Sequence, residues 1–254
     1  MQAMNKGLPS IFVSHGSPMI ALEPREAGAF MQHLGDVIRR RQGRPAAILV
    51  VSAHSLTREP VLLAAPRHEA VYDFGGFDPK LQTLRYDAPG APALADRVAG
   101  LLAAADLPVH RVEEGGLDHG IWTPLRYLFP DADVPVLPLA WPPHWTPGQL
   151  FALGRALAPL ADEGVLIIGS GSITHNLRRV FAGGGLHTRA GRHAREHRVP
   201  RLVRSARRGG RVVAAAGLPP PGAARGPDAP HRRAPAALFR GRWRRGHRGC
   251  AAHP

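Results

Sequence analysis

Four short apolar runs, Ile11–Val13, Ile48–Val51, Val134–Leu139 and Val165–Ile168, are each bounded by Gly, Pro or Ser. Runs of this length, rich in β-branched residues, predict strands buried within a sheet. Between them the apolar spacing changes to three and four. Phe30, Leu34, Val37 and Ile38 mark one face of a helix over residues 25–41, which ends in Arg39, Arg40 and Arg41. Positive side chains suit the negative C-terminal pole of a helix. Leu150, Leu153, Leu157 and Leu160 mark a second helix over 148–162, and residues 91–105 form a third candidate. No fixed-period repeat is present. The alternation predicts an α/β fold: a single domain with a central mixed β-sheet flanked by helices.

Polar residues fall in a repeated place. Three apolar runs pass through small residues and then present a histidine: Ile11 to His15, Ile48 to His54, and Leu166 to His175. Open α/β sheets bind ligands beyond the carboxyl ends of their strands. If these strands are parallel neighbours, three imidazoles meet at one rim. A fourth, His119, stands in Asp118-His119-Gly120-Ile121-Trp122, just before a helix-like run. One histidine after a strand is more often a capping or core hydrogen-bonder than a ligand; the repetition is what singles these out. His33, His68, His110 and His144 lack the placement and read as surface or structural residues.

Composition narrows the class. The chain has 254 residues, 44% of them hydrophobic, enough for a sizeable core and unlike a fibrous or disordered chain. A single cysteine, Cys250, excludes an internal disulfide framework and a cysteine-based zinc cluster. No apolar stretch approaches the roughly 20 residues of a membrane span. The N-terminus lacks the apolar core of a secretory signal. The expectation is a soluble, cytoplasmic protein.

The net charge of +14 is not evenly spread. Residues 187–254 hold 17 Arg against Glu196 and Asp228, a local +15, while the other 186 residues carry 16 basic and 17 acidic side chains. A neutral body is thus joined to a low-complexity tail of Arg, Gly, Ala, Pro and His.

Neutral imidazole is the commonest protein ligand for zinc and also suits iron and copper. A neighbouring imidazole without a metal can move protons near neutral pH. Nucleophilic chemistry fares worse, because neither Ser17 nor Ser170 sits in a Gly-x-Ser-x-Gly elbow. The Gly169-Ser170-Gly171 string fails the dinucleotide fingerprint at Thr174, and no Walker-type loop occurs. Metal-dependent catalysis leads. Three alternatives stand beside it: a zinc-dependent hydrolase using the same histidines, a nucleic-acid-binding protein acting through its basic tail, and a scaffold without chemistry.

A set of ordered motifs carries a resemblance. His15-Gly16-Ser17-Pro18, Ser52-Ala53-His54, Tyr72-Asp73-Phe74-Gly75-Gly76-Phe77, Tyr86-Asp87-Ala88-Pro89-Gly90, Asp118-His119-Gly120-Ile121-Trp122 and Gly169 to Leu177 together resemble the class III extradiol ring-cleavage dioxygenases, in their 4,5-DOPA-extradiol-dioxygenase-like branch. The resemblance covers residues 8–183. It implies one divalent ion, Fe(II) or Zn(II), and opening of a catechol-type ring with dioxygen. The implied partners are that small molecule and O2, with no specific nucleic acid and no membrane. It further implies His15 and His54 as metal ligands, and His175 as another ligand or as an acid–base residue. His119 would orient substrate or shuttle a proton, and Trp122 would pack beneath the site as part of the core.

Past residue 183 the resemblance stops. The family motif resembling His-Pro-Thr-x-Glu-His, which supplies a further ligand, has no counterpart here. A shifted reading frame accounts for both the loss and the charge. Ala229 to Pro235 can be encoded GCA CCC CAC CGA CGA GCA CCT, and one nucleotide later those bases read His-Pro-Thr-Asp-Glu-His. With third bases chosen freely, the same offset allows family-like strings at Glu196–Arg204 and Ala215–Pro220. The expected organisation is therefore an incomplete dioxygenase-like domain over 8–183 and an out-of-frame, poorly ordered tail over 187–254.

Overall fold

The computed structural model describes residues 7–172. The expected boundary at 183, the tail and His175 lie outside them. Eight strands and four α-helices follow in the order β1 (Ile11–Ser14), α1 (Arg25–Gln42), β2 (Ala47–Ser52), β3 (Val61–Leu63), β4 (Arg67–His68), β5 (Ala88–Pro89), α2 (Pro92–Ala103), β6 (His110–Val112), α3 (His119–Leu128), β7 (Val136–Ala140), α4 (Pro147–Leu157) and β8 (Val165–Gly171). Six strands form one sheet in the order β1-β8-β2-β7-β3-β6, and β4 pairs with β5. The first four are mutually parallel, and β3 runs antiparallel to β7. The mixed sheet expected from the sequence is present.

Alternation along the central strands feeds two cores. Ile48 and Val50 of β2 join Leu166 and Ile168 of β8 on the face covered by α1 and α3. Ala47 and Leu49 face the other way, with Leu137 and Leu139 of β7, toward α2 and α4. Both faces being covered explains why these strands read as continuous apolar runs. No helix among the described residues is long and apolar enough to cross a membrane.

One expected face is corrected. Ile38 is buried and Leu34 packs against the core as expected, but Phe30 of α1 is 63% exposed, and Gly28, Met31 and Gly35 complete the buried face. The reason is close packing: a Cβ at Gly35 would lie 2.1 Å from the Leu128 carbonyl oxygen of α3. Glycine here admits a neighbouring backbone, so the buried stripe is carried partly by residues with no hydrophobic side chain.

Candidate metal centre

The three strands expected to meet do so. β8 lies between β1 and β2, with Ser14 opposite Gly171 and Ser52 opposite Ser170, so all three carboxyl ends share one rim. His15 follows β1 directly and is buried; His54 stands two residues past β2 and is half-buried. His119, the first residue of α3, reaches the same rim from the helix N-terminus and is also buried.

One ring nitrogen from each of His15, His54 and His119 lies within 4.8 Å of the others. The rings themselves stand 5.0 Å (His15–His54), 4.0 Å (His54–His119) and 5.3 Å (His15–His119) apart between centroids. The Nε2 atoms of His15 and His54 are 3.1 Å apart. Two nitrogens bound at about 2.1 Å to one ion stand roughly 3.0 to 3.4 Å apart for angles between square and tetrahedral. The pair fits two ligands on one metal. Of the four histidines singled out in the sequence, three are thus brought together, and the fourth, His175, falls outside the described residues.

Hydrogen bonds decide which nitrogen each ring offers. The Ser170 hydroxyl donates to the Gly120 carbonyl oxygen. Its oxygen stands 3.0 Å from His15 Nδ1 and can only accept there, so His15 carries its proton on Nδ1 and its lone pair on Nε2. The Asp73 carboxylate accepts from His119 Nδ1 at 2.9 Å and from the His119 backbone N–H at 3.0 Å. It therefore orients the ring and satisfies an N–H at the positive end of α3. Carboxylate or hydroxyl partners behind ligating imidazoles are the usual way such rings are held.

A second carboxylate supports the loop that carries His54. Asp118 precedes α3 and accepts from Ser52 Oγ at 2.7 Å and from Ser55 Oγ at 2.5 Å. Ser52 Oγ in turn accepts from the His54 backbone N–H at 3.1 Å. Burial pushes the Asp118 carboxyl above its ordinary range, the two serine hydroxyls oppose this, and the charge of Asp73 adds to the rise. For Asp73, burial alone would act upward, but the hydrogen bonds and charge of His119 prevail and hold it below the ordinary value. Gly120 makes the crowding possible: a Cβ there would meet Ser52 Oγ at 2.5 Å and His15 Cε1 at 3.1 Å.

Aromatic residues wall one side. Phe74 meets His119 edge-on at 5.6 Å and Phe77 edge-on at 5.8 Å. Trp122 is fully buried, packs near Tyr72 and Phe74, and donates from Nε1 to the Val71 carbonyl oxygen. That is the core position expected for it. Sequence reasoning assigned no role to Ser52, Asp73, Asp118 or Ser170. Their signal was adjacency: Ser52 two residues before His54, and Asp118 immediately before His119. Asp73, 46 residues from His119, had no such local cue.

Residues 9–188 match the family described as the catalytic LigB subunit of aromatic ring-opening dioxygenase. A 4,5-DOPA dioxygenase extradiol from Beta vulgaris is 43% identical over 168 residues, covering 65% of this chain and 62% of that protein. A protein of the same name from Escherichia coli K12 is 41% identical over 173 residues, covering 68% and 62%. The chain thus spans about three fifths of the length of these curated relatives. Among solved structures, that of uncharacterized protein JW3007 from Escherichia coli K12 is similar at a TM-score of 0.63 and 35% identity, covering 78% of this chain and 72% of that one.

Proposed function

Because the chain belongs to the LigB family of aromatic ring-opening dioxygenases, we propose that it is an extradiol dioxygenase that opens a catechol-type ring with O2 at the histidine rim. The observation that carries this reading is the convergence of His15, His54 and His119, with two rings turned by hydrogen bonds to Ser170 and Asp73. His15 and His54 would hold one divalent ion, iron(II) or zinc, with His175 completing the set or acting beside it as acid and base. A bound ion of this kind supplies Lewis acidity and, if it is iron, the redox capacity that lets O2 react with an aromatic ring.

The remaining work falls to the chain's own groups. His119, with Nδ1 donating to Asp73, offers Nε2 as the nitrogen that can take a proton from a substrate hydroxyl and return it later. Phe74 stands edge-on to that imidazole and gives a planar ring an apolar neighbour. The test is oxygen uptake with a simple catechol and added Fe(II). Uptake that is lost in His54→Ala and kept in His33→Ala supports the reading. Ester hydrolysis with zinc and no uptake with any catechol would replace it with a hydrolase.

The stretch 187–254 we read as an out-of-frame translation, which leaves the site short of the family's C-terminal ligand and the chain weak in metal binding. Supporting this is the end of the family match at residue 188, beside the onset of the Arg-rich composition. The nucleotide sequence around codons 178–190 tests it, and an uninterrupted frame with peptides detected from the tail would overturn it.

A further inference from the structure

We propose that Pro124 is a positioning residue for His15, acting through the Gly120 carbonyl and the Ser170 hydroxyl to select which ring nitrogen His15 presents. Pro124 sits in the middle of α3. In an α-helix the carbonyl of residue 120 accepts from the amide of residue 124. Proline has no N–H, and its ring crowds the carbonyl four residues before it. The Gly120 carbonyl is therefore denied its helical donor and pressed outward, in a buried place where an unpaired oxygen is costly. The donor it finds is the Ser170 hydroxyl, from β8.

That choice has a consequence 155 positions away in sequence, at His15. A serine hydroxyl has one proton. Once it is committed to the Gly120 oxygen, only lone pairs face His15 Nδ1, so His15 must donate from Nδ1 and keep its lone pair on Nε2. Nε2 is the nitrogen 3.1 Å from its counterpart on His54. With an ordinary residue at 124, the amide would take the carbonyl, and the serine proton could turn toward His15 and favour the opposite tautomer. A proline that reads as a helix defect thus sets the state of a ring on another strand.

The functional value of this relay rests on the dioxygenase reading; the relay itself does not. The experiment therefore uses metal-free, full-length protein labelled with 15N-histidine, at a pH where His15 is neutral, and reads the His15 tautomer from nitrogen shifts. Wild-type protein shows the Nδ1–H form. Pro124→Ala, which favours helix, shifts the tautomer ratio toward Nε2–H by roughly tenfold, about one hydrogen bond's worth. Ser170→Ala also disturbs the ratio, and Ser170→Thr restores it. In the Ser170→Ala background Pro124→Ala has no further effect on His15, which a general loosening of the helix would not produce. A Pro124→Ala protein with an unchanged His15 tautomer, or equal effects of that change with and without Ser170, overturns the relay. Failure of a frame-restored protein to bind Fe(II) or zinc would count against the dioxygenase reading and leave the tautomer result standing.

Discussion

Gly120 gives the sharpest mutational prediction, because the space around it is filled by the site itself. An alanine Cβ at this position would stand 2.5 Å from Ser52 Oγ, 3.0 Å from Asp118 Oδ1 and 3.1 Å from His15 Cε1. None of these can retreat freely. Ser52 is fully buried, donates to Asp118 and accepts from the His54 amide. Overpacking of this kind costs about 1–3 kcal/mol, and the better helix propensity of alanine offsets up to about 1 kcal/mol. Three constrained contacts at once place the cost at about 2–3 kcal/mol, so a net loss of about 1–2 kcal/mol lowers Tm by roughly 2–8 °C in a domain of this size. Since the displaced groups orient the rings proposed to hold the metal, affinity for Co(II), used as an optical probe, is expected to fall about 10–100-fold. Gly100 of α2 is the control, for an added Cβ meets nothing within 4 Å. Gly100→Ala is expected to be neutral or stabilising by about 0.4–1 kcal/mol, with unchanged cobalt affinity. Thermal melts and cobalt titrations of both variants suffice. A Gly120→Ala protein as stable as wild type and binding cobalt equally well would refute the packing argument.

Three further outcomes are expected. Asp73→Asn keeps the size of the side chain but removes the charge that faces His119, and steady-state oxygen uptake should show kcat reduced about 10–100-fold. His68 is fully buried, and among the described residues neither of its ring nitrogens has a partner in hydrogen-bond geometry, although the nearby backbone of Val136 and Gly115 favours its charged form. Burial holds its pKa below the ordinary 6.5, so under acid conditions the unfolded chain binds a proton that the folded chain refuses. Stability therefore declines as pH falls below about 6.5, by at most about 1.4 kcal/mol per pH unit for this group. Urea unfolding of wild type and His68→Leu at pH 7.5 and 5.5 should show the variant gaining relative stability in acid, and a constant difference would exclude the assignment. Finally, a gene with the proposed frame restored should yield protein that binds Fe(II) more tightly than the chain described, measured by equilibrium dialysis; equal affinity would remove the missing ligand as an explanation.

What the sequence made legible follows from how each feature is encoded. β2 and β8 carry long apolar runs because both of their faces are covered, and the histidines at their rim stand out by position alone. β6 could not be read in this way: His110, Arg111 and Val112 are all exposed, and the strand exists by pairing with β3 at the sheet edge. Helix α3 was seen only as a helix-like run after His119, since Pro124 and Gly120 are poor helix formers until β8 supplies the missing donor. The α1 face was misread at Phe30 because glycines, invisible to a hydrophobic pattern, make the closest approach. Asp73 and Ser170 had to await the fold, which alone brings them behind His119 and His15.

The strand that carries His15 stands at the end of the sheet order and, among the described residues, pairs only with β8. Four residues on a single ladder form a weak cooperative unit, the kind that opens locally well below the free energy of global unfolding. An ion shared by His15 and His54 would tie that end strand across β8 to the interior strand beyond it. Amide hydrogen exchange at Phe12 and Val13 should accordingly slow when metal is added, while amides in β2 change little. Loss of the ion and fraying of the sheet margin would then be one event, and the rate of margin opening would set how long the site retains a bound ion.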